Sequence, residues 1–407
     1  MKIVYLSSSG QLGGAERVLL DIWASIKYTE PDWSLNLVVS DDGPLVGRAK
    51  ALGVQTAIVP FPDTLKSLGD AGAGGPAGNQ VGRIALLLKL IRAVPTAGYL
   101  RRLRRTLFEL NPDVIHTNGF KMHVLGARAR PQGVPLIWHI HDYISTRPVM
   151  ARLMRMHAGR CTVAIANSVS VAEDTARVCN DLFPVQTIYN GIDLESFSPK
   201  GPVLDLDSLS GLSPAAPETI KVGMLATLAR WKGHETFLRA LALIPSDLPL
   251  RGYIVGGALY QTEGSQHSPA ELKGLIDKLG LSSRVGLTGF IDHPAAAMRA
   301  LDIVVHASTQ PEPFGLVIAE GMACGKAMIV SNTGGAAELI KGGIDALGHS
   351  PGDATCLSEC IISLVADSAL RHRLGLAGRK QAEQRFDRAR LARELIPLYL
   401  KLARANN

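Results

Sequence analysis

The stretch 302–331 constrains the fold of this chain most, because it alternates two short apolar segments with a loop and a helix. The apolar run 302–306 is too short for a helix and predicts a buried strand. A loop with two prolines and a glycine follows it. Segment 316–323 then predicts the start of a helix, and 327–331 predicts the next strand. The pattern therefore predicts a β-loop-α-β unit.

Two carboxylates lie in this unit with seven residues between them, Glu312 on the loop and Glu320 about one turn into the helix. The backbone amides of Gly315, Leu316 and Val317 point out of the helix N-terminus, where an anionic group is stabilised. These groups suit a phosphorylated sugar: Glu312 is expected at the rim of the site, the helix N-terminus favours a phosphate, and Glu320 lies further along the helix.

The spacing of Glu312 and Glu320, with Phe314 and Gly315 after the first, resembles the donor site of retaining family 4 glycosyltransferases, which have the GT-B fold. Further pieces that match this family occur in its order along nearly the whole chain. They are Gly13-Gly14, Asn190-Gly191-Ile192-Asp193 with Phe197 and Pro199, Trp231-Lys232-Gly233, and Gly334-Gly335 with Glu338. Each piece alone is a weak signal, whereas the set is specific.

The resemblance implies an α/β chain of the GT-B class, with two Rossmann-like domains that face each other across a cleft. A length of 407 residues also suits two domains better than one core. We expect an acceptor-side domain over 1–195 and a linker over 196–218. A nucleotide-sugar-binding domain over 219–385 follows, and 386–407 is expected to return as a helix to the first domain.

The resemblance implies a retaining hexosyltransferase, which moves a sugar from a nucleotide-sugar donor to a glycan, lipid-linked or small-molecule acceptor. A role in cell-envelope glycan biosynthesis fits this class. Lys232 and Arg230 are expected to neutralise the diphosphate leaving group, since cations near a strand end stabilise that charge. Relatives usually carry an arginine where this chain has Thr227, and Arg230 is the nearby candidate to replace it.

The other donor-side roles also follow from the resemblance. Glu312, assigned with Lys232 and Arg230 to the catalytic set, is expected to hold hydroxyls of the donor sugar, and Glu320 the ribose hydroxyls. The nucleotide base is expected near Gly256 and Phe290, and the backbone of Gly14 near the phosphates. The donor-binding set comprises Gly14, Gly256, Phe290, Phe314, Gly315, Leu316, Val317 and Glu320.

Two predicted strands of the first half end in polar side chains, and ligands gather at the carboxyl ends of strands in open α/β sheets. One strand ends with His116 and Asn118, and the other with His139 and His141. Relatives commonly carry histidines here, so we place His116 in the catalytic set and the other three on the acceptor side. Period-two alternation puts His139 and His141 on one face. The sequence leaves open which of the four points into the cleft.

The excess positive charge lies in the first half: residues 1–190 hold 21 Lys and Arg against 14 Asp and Glu, and 191–407 hold 22 of each. Segment 84–105 combines an apolar run with a basic cluster of Arg101, Arg102, Arg104 and Arg105. This favours peripheral docking on an anionic membrane, which suits a lipid-linked acceptor. The alternative is a helix that packs on the sheet and exposes a solvated basic face.

No metal and no other cofactor is expected, because no His, Cys or carboxylate cluster has helpful ligand spacing. Asp205 and Asp207 match a DxD metal motif but lie in the predicted linker. No nucleic-acid partner is expected.

The run 2–8 predicts a strand rather than a signal peptide, and the five cysteines form no CxxC pair. We therefore expect a cytoplasmic protein, bound at most peripherally to the inner face of the membrane.

Several alternatives remain. A nucleotide-sugar 2-epimerase can share the GT-B fold and forms its product without an acceptor. A NAD-dependent oxidoreductase would bind the ribose through Asp41 or Asp42, but the glycine turn of this chain does not have the GxGxxG spacing of that class. Paired carboxylates also serve hydrolases, but the offset from loop to helix, with cations nearby, fits donor binding better. A non-catalytic scaffold would tolerate the loss of Glu312.

Overall fold

The computed structural model describes residues 1–66, 93–257 and 265–404. The chain divides into two compact units, the first comprising Met1–Gly191 with Arg388–Asn407 and the second comprising Ile192–Asp387. The boundary therefore falls slightly before the one predicted at 195. The stretch 196–218, predicted as a linker, lies within the second unit.

The first unit is built on a seven-stranded parallel sheet in the order β3-β2-β1-β4-β5-β6-β7. Its strands are β1 (Lys2–Ser7), β2 (Ser34–Val39), β3 (Gln55–Ile58), β4 (Val114–Asn118), β5 (Leu136–Ile140), β6 (Val163–Ala166) and β7 (Val185–Thr187). Among the described residues, the helices that precede the second unit are α1 (Gly14–Thr29), α2 (Pro44–Ala51), α3 (Asp63–Lys66), α4 (Ala93–Leu110), α5 (Phe120–Ala129), α6 (Pro148–His157) and α7 (Val169–Val178).

The central strands of this sheet, β1, β2, β4, β5 and β6, are almost wholly buried because both faces of the sheet are covered there. In β1, Val4 and Leu6 point into one hydrophobic core, and Ile3 and Tyr5 point into the other. This is the period-two alternation of a strand that is buried on both sides. Because the strands are parallel, their carboxyl ends lie along one edge, where the polar residues of β4 and β5 meet.

The second unit contains a six-stranded parallel sheet in the order β10-β9-β8-β11-β12-β13. Its strands are β8 (Ile220–Leu225), β9 (Leu250–Val255), β10 (Val285–Gly289), β11 (Ile303–His306), β12 (Ala327–Ser331) and β13 (Leu347–His349). Its helices are α8 (Leu206–Ser210), α9 (His234–Leu243), α10 (Pro269–Lys278), α11 (Pro294–Arg299), α12 (Leu316–Ala323), α13 (Gly335–Leu339), α14 (Ala354–Ala366) and α15 (Ser368–Arg385). The β-loop-α-β unit predicted over 302–331 is confirmed as β11, α12 and β12.

The two aspartates of the DxD pattern anchor the start of the second unit. Asp205 caps α8 by accepting from the backbone amide of Ser208 at 3.1 Å. Asp207 is buried and accepts from Arg251 and from the hydroxyl of Tyr253, each at 2.6 Å. The carboxylate of Asp207 therefore ties α8 to β9.

The last helix, α16 (Ala389–Arg404), packs on the first unit. Leu391, Leu395 and Tyr399 are buried in the same core as Trp23. These residues recur every four positions, which places them on one face of the helix. The backbone amide of Ala392 also donates to Ser25 Oγ at 3.0 Å.

The predicted membrane segment 84–105 is only partly described. Residues 84–92 lie outside the described residues, and the remainder belongs to α4. Within the described part of the chain, no helix is long and apolar enough to cross a membrane.

Candidate active site

A cation and a carboxylate form the centre of the candidate site in the second unit. Lys232 ends a 3-10 turn after β8, and Glu312 lies on the loop between β11 and α12. The Nζ atom of Lys232 donates to both carboxylate oxygens of Glu312, at 2.9 and 2.8 Å. The same ammonium lies 4.0 Å from the centre of the Trp231 ring, within cation–π range. The fold thus brings together two residues that the sequence had marked separately.

Glu312 is not the rim carboxylate that its loop position suggested, because it is only 7% exposed. Ser308 Oγ donates to it at 2.8 Å, and His306 Nε2 lies 3.3 Å from the same oxygen. Burial alone would raise the pKa of Glu312, but Lys232 and His306 outweigh that effect and hold the pKa well below its usual range. The residue is therefore a carboxylate with a fixed orientation, paired with a cation.

The N-terminus of α12 follows Glu312 directly. Gly315 caps the helix with a φ of 90°, a left-handed conformation that favours glycine. A β-carbon there would lie 2.7 Å from Cδ1 of Ile318. The first amides of the helix, including those of Leu316 and Val317, have no acceptor within an α-helix. This helix end can therefore offer donors to an anion.

The remaining donor-side candidates differ in exposure. Phe314 is buried, and its ring centre lies 6.0 Å from that of Phe386, whereas Glu320 is half-buried. Phe290 is 56% exposed after β10. Gly256 has a structural reason to be glycine, since a β-carbon there would lie 1.9 Å from the backbone oxygen of Ala226. Phe314 thus packs against Phe386 in the interior, whereas the exposed ring of Phe290 is available for contact with a ligand.

Arg230 points toward α10. Its Nη2 atom pairs with Glu271 at 2.8 Å, and its Nη1 atom lies 3.1 Å from His267 Nδ1. Both partners of the ion pair are about half exposed, at 45% and 50% for the two side chains. Arg230 and Lys232 share one turn, yet they have different carboxylate partners.

The histidines of the first unit form a buried hydrogen-bonded cluster. His116 Nδ1 lies 2.8 Å from the hydroxyl of Tyr399, and His116 Nε2 lies 3.1 Å from His139 Nδ1. His116 is fully buried and His139 nearly so. Burial lowers the pKa of His116 to about 3 and that of His139 well below its usual value. The expectation of direct contact between His116 and a substrate therefore does not fit this geometry.

His141 is the more accessible histidine of this cluster. Its ring centre lies 4.1 Å from that of His139, as the period-two alternation predicted. Its Nε2 atom lies 2.6 Å from Asn118 Oδ1, and Asn167 donates to its backbone oxygen at 3.2 Å. Burial lowers the pKa of His141 to about 3, so the ring is neutral at ordinary pH. Asn118 and Asn167 thus hold an uncharged imidazole at the sheet edge.

Gly14 is exposed at the first position of α1, after a loop that Asp41 closes. The carboxylate of Asp41 accepts from the backbone amide of Gly10 and from Ser9 Oγ, the latter at 3.3 Å. A β-carbon on Gly10 would lie 2.5 Å from the backbone oxygen of Asp41. The carboxylate of Asp41 is therefore hydrogen-bonded to the turn at residues 9–10. In the NAD-dependent oxidoreductase alternative, this carboxylate would bind the ribose instead.

Sequence reasoning missed several residues that shape these sites. Ser308 and His306 orient Glu312, and Glu271 pairs with Arg230. Tyr399 contacts His116 from a position 283 residues later. The end of β11 carries a weak signal for His306 and Ser308, since polar residues there follow an apolar strand. Tyr399 carries no such signal, because it occupies one apolar position of an amphipathic helix.

In the described ranges 1–66, 93–257 and 265–404, no group of three or more His, Cys, Asp or Glu residues lies where it could hold a metal ion. Metal-independent activity stays a prediction.

Two family descriptions match the chain in succession. The model of glycosyl transferases group 1 matches residues 213–381, and that of glycosyltransferase family 4 matches residues 45–196. Strands β3 to β7 and the histidines at the ends of β4 and β5 lie within the family 4 match, and strands β8 to β13 with Glu312 and Glu320 lie within the group 1 match. The chain belongs to the group 1, family 4 glycosyltransferases.

Solved structures support the GT-B architecture of this family member over nearly its full length. HepE from Anabaena, solved in complex with UDP-glucose, is 26% identical with a TM-score of 0.77, and the match covers 98% of this chain and 100% of that one. Sucrose-phosphate synthase from Thermosynechococcus elongatus is 21% identical with a TM-score of 0.74, and both chains are fully covered. The second match supports the fold alone.

Curated relatives match a shorter part of this chain. Alpha-maltose-1-phosphate synthase of Mycobacterium tuberculosis is 31% identical over 253 residues, which are 58% of this chain and 62% of that protein. The chain spans about three-fifths of the length of the curated relatives that it matches first. Neither the epimerase nor the oxidoreductase alternative is favoured by these matches.

Proposed function

We propose that this protein is a retaining glycosyltransferase, which moves a sugar from a nucleoside-diphosphate donor to a hydroxyl group of an acceptor. The observation that carries the proposal is the ion pair between Lys232 and the buried Glu312 beside the N-terminus of α12. An ammonium, a fixed carboxylate and free helix amides are the groups that a sugar diphosphate requires.

Lys232 and the amides of α12 act on the diphosphate in this proposal. As the bond between the anomeric carbon and the phosphate oxygen breaks, negative charge grows on the leaving phosphate. A positioned cation and helix amides stabilise that charge more in the transition state than in the ground state. Glu312 then accepts hydrogen bonds from hydroxyls of the donor sugar, and Glu320 from those of the ribose.

Retention needs no protein nucleophile in this scheme. The acceptor oxygen attacks the anomeric carbon on the face that the phosphate leaves, and the leaving phosphate takes the acceptor's proton. The low pKa of Glu312 fits this division of labour, because a carboxylate that stays ionised beside a lysine is a poor proton carrier. His141, Asn118 and His139 are assigned to the acceptor side as neutral hydrogen-bonding groups.

The donor class is tested by a thermal-shift screen with UDP-, GDP- and ADP-sugars, followed by a transfer assay with the donors that stabilise the protein. UDP-glucose is the first donor to test, because the similar HepE structure holds it. Transfer should require both donor and acceptor. Release of a free 2-epimer without acceptor would identify an epimerase, and release of free sugar alone would identify a hydrolase.

We also propose that transfer needs no divalent metal, because the charge of the leaving group is met by Lys232 and the α12 amides. The expected result is an unchanged initial rate in EDTA. A rate that disappears in EDTA and returns with Mg²⁺ or Mn²⁺ would refute this proposal.

We propose, further, a lipid-linked acceptor met at an anionic membrane surface, with the protein bound peripherally on the inner face. Helices α4 and α6 both pack against α5, and the three helices expose many arginines. Phe108 and Met156 are 77% and 70% exposed on the same helices. The exposed basic residues include Arg101, Arg102, Arg104, Arg105, Arg128 and Arg152. Such a mixture suits weak, salt-sensitive binding to anionic lipid.

Vesicle co-sedimentation tests this surface. The wild type should pellet with anionic phospholipid vesicles at low salt and remain in solution with neutral ones. Reversal of charge at Arg101, Arg102 and Arg104 to Glu should abolish pelleting. Reversal at the exposed Arg373 and Lys380 of α15 is the control and should have no effect. Equal pelleting with both vesicle types, or with neither, would point to a soluble acceptor.

A further inference from the structure

A line of hydrogen bonds runs through the interior of the first unit. The hydroxyl of Tyr5 lies 3.2 Å from that of Tyr399, which lies 2.8 Å from His116 Nδ1. His116 Nε2 in turn lies 3.1 Å from His139 Nδ1. Tyr5, Tyr399 and His116 are fully buried, and His139 is 2% exposed. We call these four residues the Tyr–His chain.

Every member of the Tyr–His chain is uncharged at ordinary pH. Burial lowers the pKa of both imidazoles far below neutrality and raises the pKa of both phenols. Each histidine therefore carries one N–H group, and each tyrosine carries one O–H group. Three hydrogen bonds then share these hydrogens. The direction of the bond between Tyr399 and His116 fixes the direction of the bond between His116 and His139, because His116 has a single N–H group.

Three arrangements satisfy the three contacts. In the first, Tyr5 donates to Tyr399, Tyr399 donates to His116 Nδ1, and His116 Nε2 donates to His139 Nδ1. The hydrogen of His139 then sits on Nε2. In the second arrangement every bond is reversed, and His139 carries its hydrogen on Nδ1. In the third, the Tyr399 oxygen accepts from both Tyr5 and His116 Nδ1, and His139 again carries its hydrogen on Nδ1.

The hydroxyl hydrogens decide between these arrangements. In the second, Tyr5 accepts from Tyr399, and the Tyr5 hydrogen has no acceptor among the residues described in this structure. In the third, the hydrogen of Tyr399 has no acceptor among them. An unsatisfied buried O–H group is costly, so the first arrangement is favoured. Tyr399 is the pivot, because its single hydrogen must go to one side or the other.

We propose that Tyr399 is a positioning residue that fixes the tautomer of His139 through His116, so that His139 offers an N–H group at Nε2 to an oxygen atom of a bound sugar. This inference rests on the proposed function for its sugar ligand. It assigns His139 the role of a hydrogen-bond donor, which cannot take a proton from the acceptor hydroxyl at that nitrogen. Through Tyr399, the last helix, α16, would thus orient the histidines at the carboxyl ends of β4 and β5.

The tautomers are measured directly by two-bond ¹H–¹⁵N correlation spectra of protein labelled with ¹⁵N-histidine, with H139Q used to assign the His139 signals. The wild type should show His139 with its hydrogen on Nε2. Y399F should give His139 signals from both tautomers, because His116 loses the donor at Nδ1. Y5F is the matched control: it also removes one buried hydroxyl, but Tyr399 can still donate to His116, so the His139 signals should not change.

A wild-type His139 with its hydrogen on Nδ1 would overturn the proposed direction, and unchanged His139 signals in Y399F would overturn the role of Tyr399. If Y399F does not fold, H116Q breaks the same chain, and unchanged His139 signals in that variant would overturn the proposal equally. These spectra need no substrate, so they stand even if no nucleotide sugar is turned over. With transfer established, Y399F should lower kcat about fivefold, as for loss of one hydrogen bond, and leave the KM for the donor unchanged.

Discussion

In the second unit, the buried Glu312 forms a charged pair with the partly buried Lys232, whereas His116 and His139 in the first unit are buried as neutral rings. Both groups sit at or just beyond the carboxyl ends of parallel strands. In one, an ammonium 2.8 Å away holds the pKa of the carboxylate down. In the other, burial keeps imidazoles from charging, and they share hydrogens with each other and with a tyrosine.

In the proposed function, the charged pair and the neutral histidines bind different ligands at the carboxyl ends of their two sheets. A buried ion pair has little net value for stability, since desolvation offsets much of the attraction. Its presence is better explained by a ligand that carries charge, such as a diphosphate. A neutral hydrogen-bonded network instead orders donors and acceptors for an uncharged partner, such as sugar hydroxyls. The predictions that follow test this contrast.

The largest expected effect is on the charged pair. K232M and E312Q should each lower the rate of transfer by about 10²-fold or more, as for removal of a transition-state stabilising group. Each single change also leaves one buried charge without its partner, which should lower the free energy of unfolding by about 3–5 kcal/mol. Initial rates and urea unfolding measure the two effects.

The double variant K232M/E312Q separates the two effects. It removes both charges, so most of the lost stability should return while the rate stays low. Near-normal turnover in either K232M or E312Q would contradict the assignment of this pair to catalysis. Recovery of the rate in the double variant would mean that the pair serves only stability.

The pH dependence of stability should also differ between the two edges. The folded pKa of His116, about 3, is below its ordinary 6.5, so the unfolded chain takes up a proton that the folded chain refuses. Stability is therefore lost as pH falls below 6.5, by about 1.4 kcal/mol per pH unit for each such histidine. Glu312 has a lowered pKa, so its contribution is present above its ordinary 4.5 and is lost only below it.

Hydrogen exchange of peptides from β4 and β11, compared at pH 7 and pH 5, measures this difference. H116Q should reduce the loss of protection in β4 over this range, whereas E312Q should not change the pH dependence. Equal pH dependence of β4 in the wild type and H116Q would contradict the neutral burial of this histidine.

The smallest effect is expected at Arg230. Its guanidinium is 45% exposed and pairs with Glu271, so R230A should lower the rate of transfer only about fivefold. Arg239 is the matched control, because it is similarly exposed and pairs with Glu235 at 2.7 Å. R239A should leave the rate unchanged. A loss in R230A as large as in K232M would mean that Arg230 leaves Glu271 to bind the diphosphate.

Much of the second unit could be predicted because its signals are local. The apolar run of β11, the loop after it and the helix α12 follow from the order of residues, and the structure has α12 and β12 at the predicted bounds. Glu312 and Lys232 stood out for the same reason, since each lies in a turn after a strand. Their direct contact was not predicted, because no periodicity in the chain relates positions 80 apart.

The sequence by itself determined individual strands and helices, such as β12 and α12, and the polar residues at the strand ends, because these depend on short-range apolar patterns. The two α/β units followed from its length and from its resemblance to a known family. Only the tertiary structure decided which polar residue meets which. It buried Glu312 against His306, turned Arg230 toward Glu271, and drew 196–218 into the second unit through Asp207. It also placed Tyr399 beside His116. Such contacts depend on how distant elements pack, and side-chain hydrogen bonds across that distance leave no repeat in the sequence.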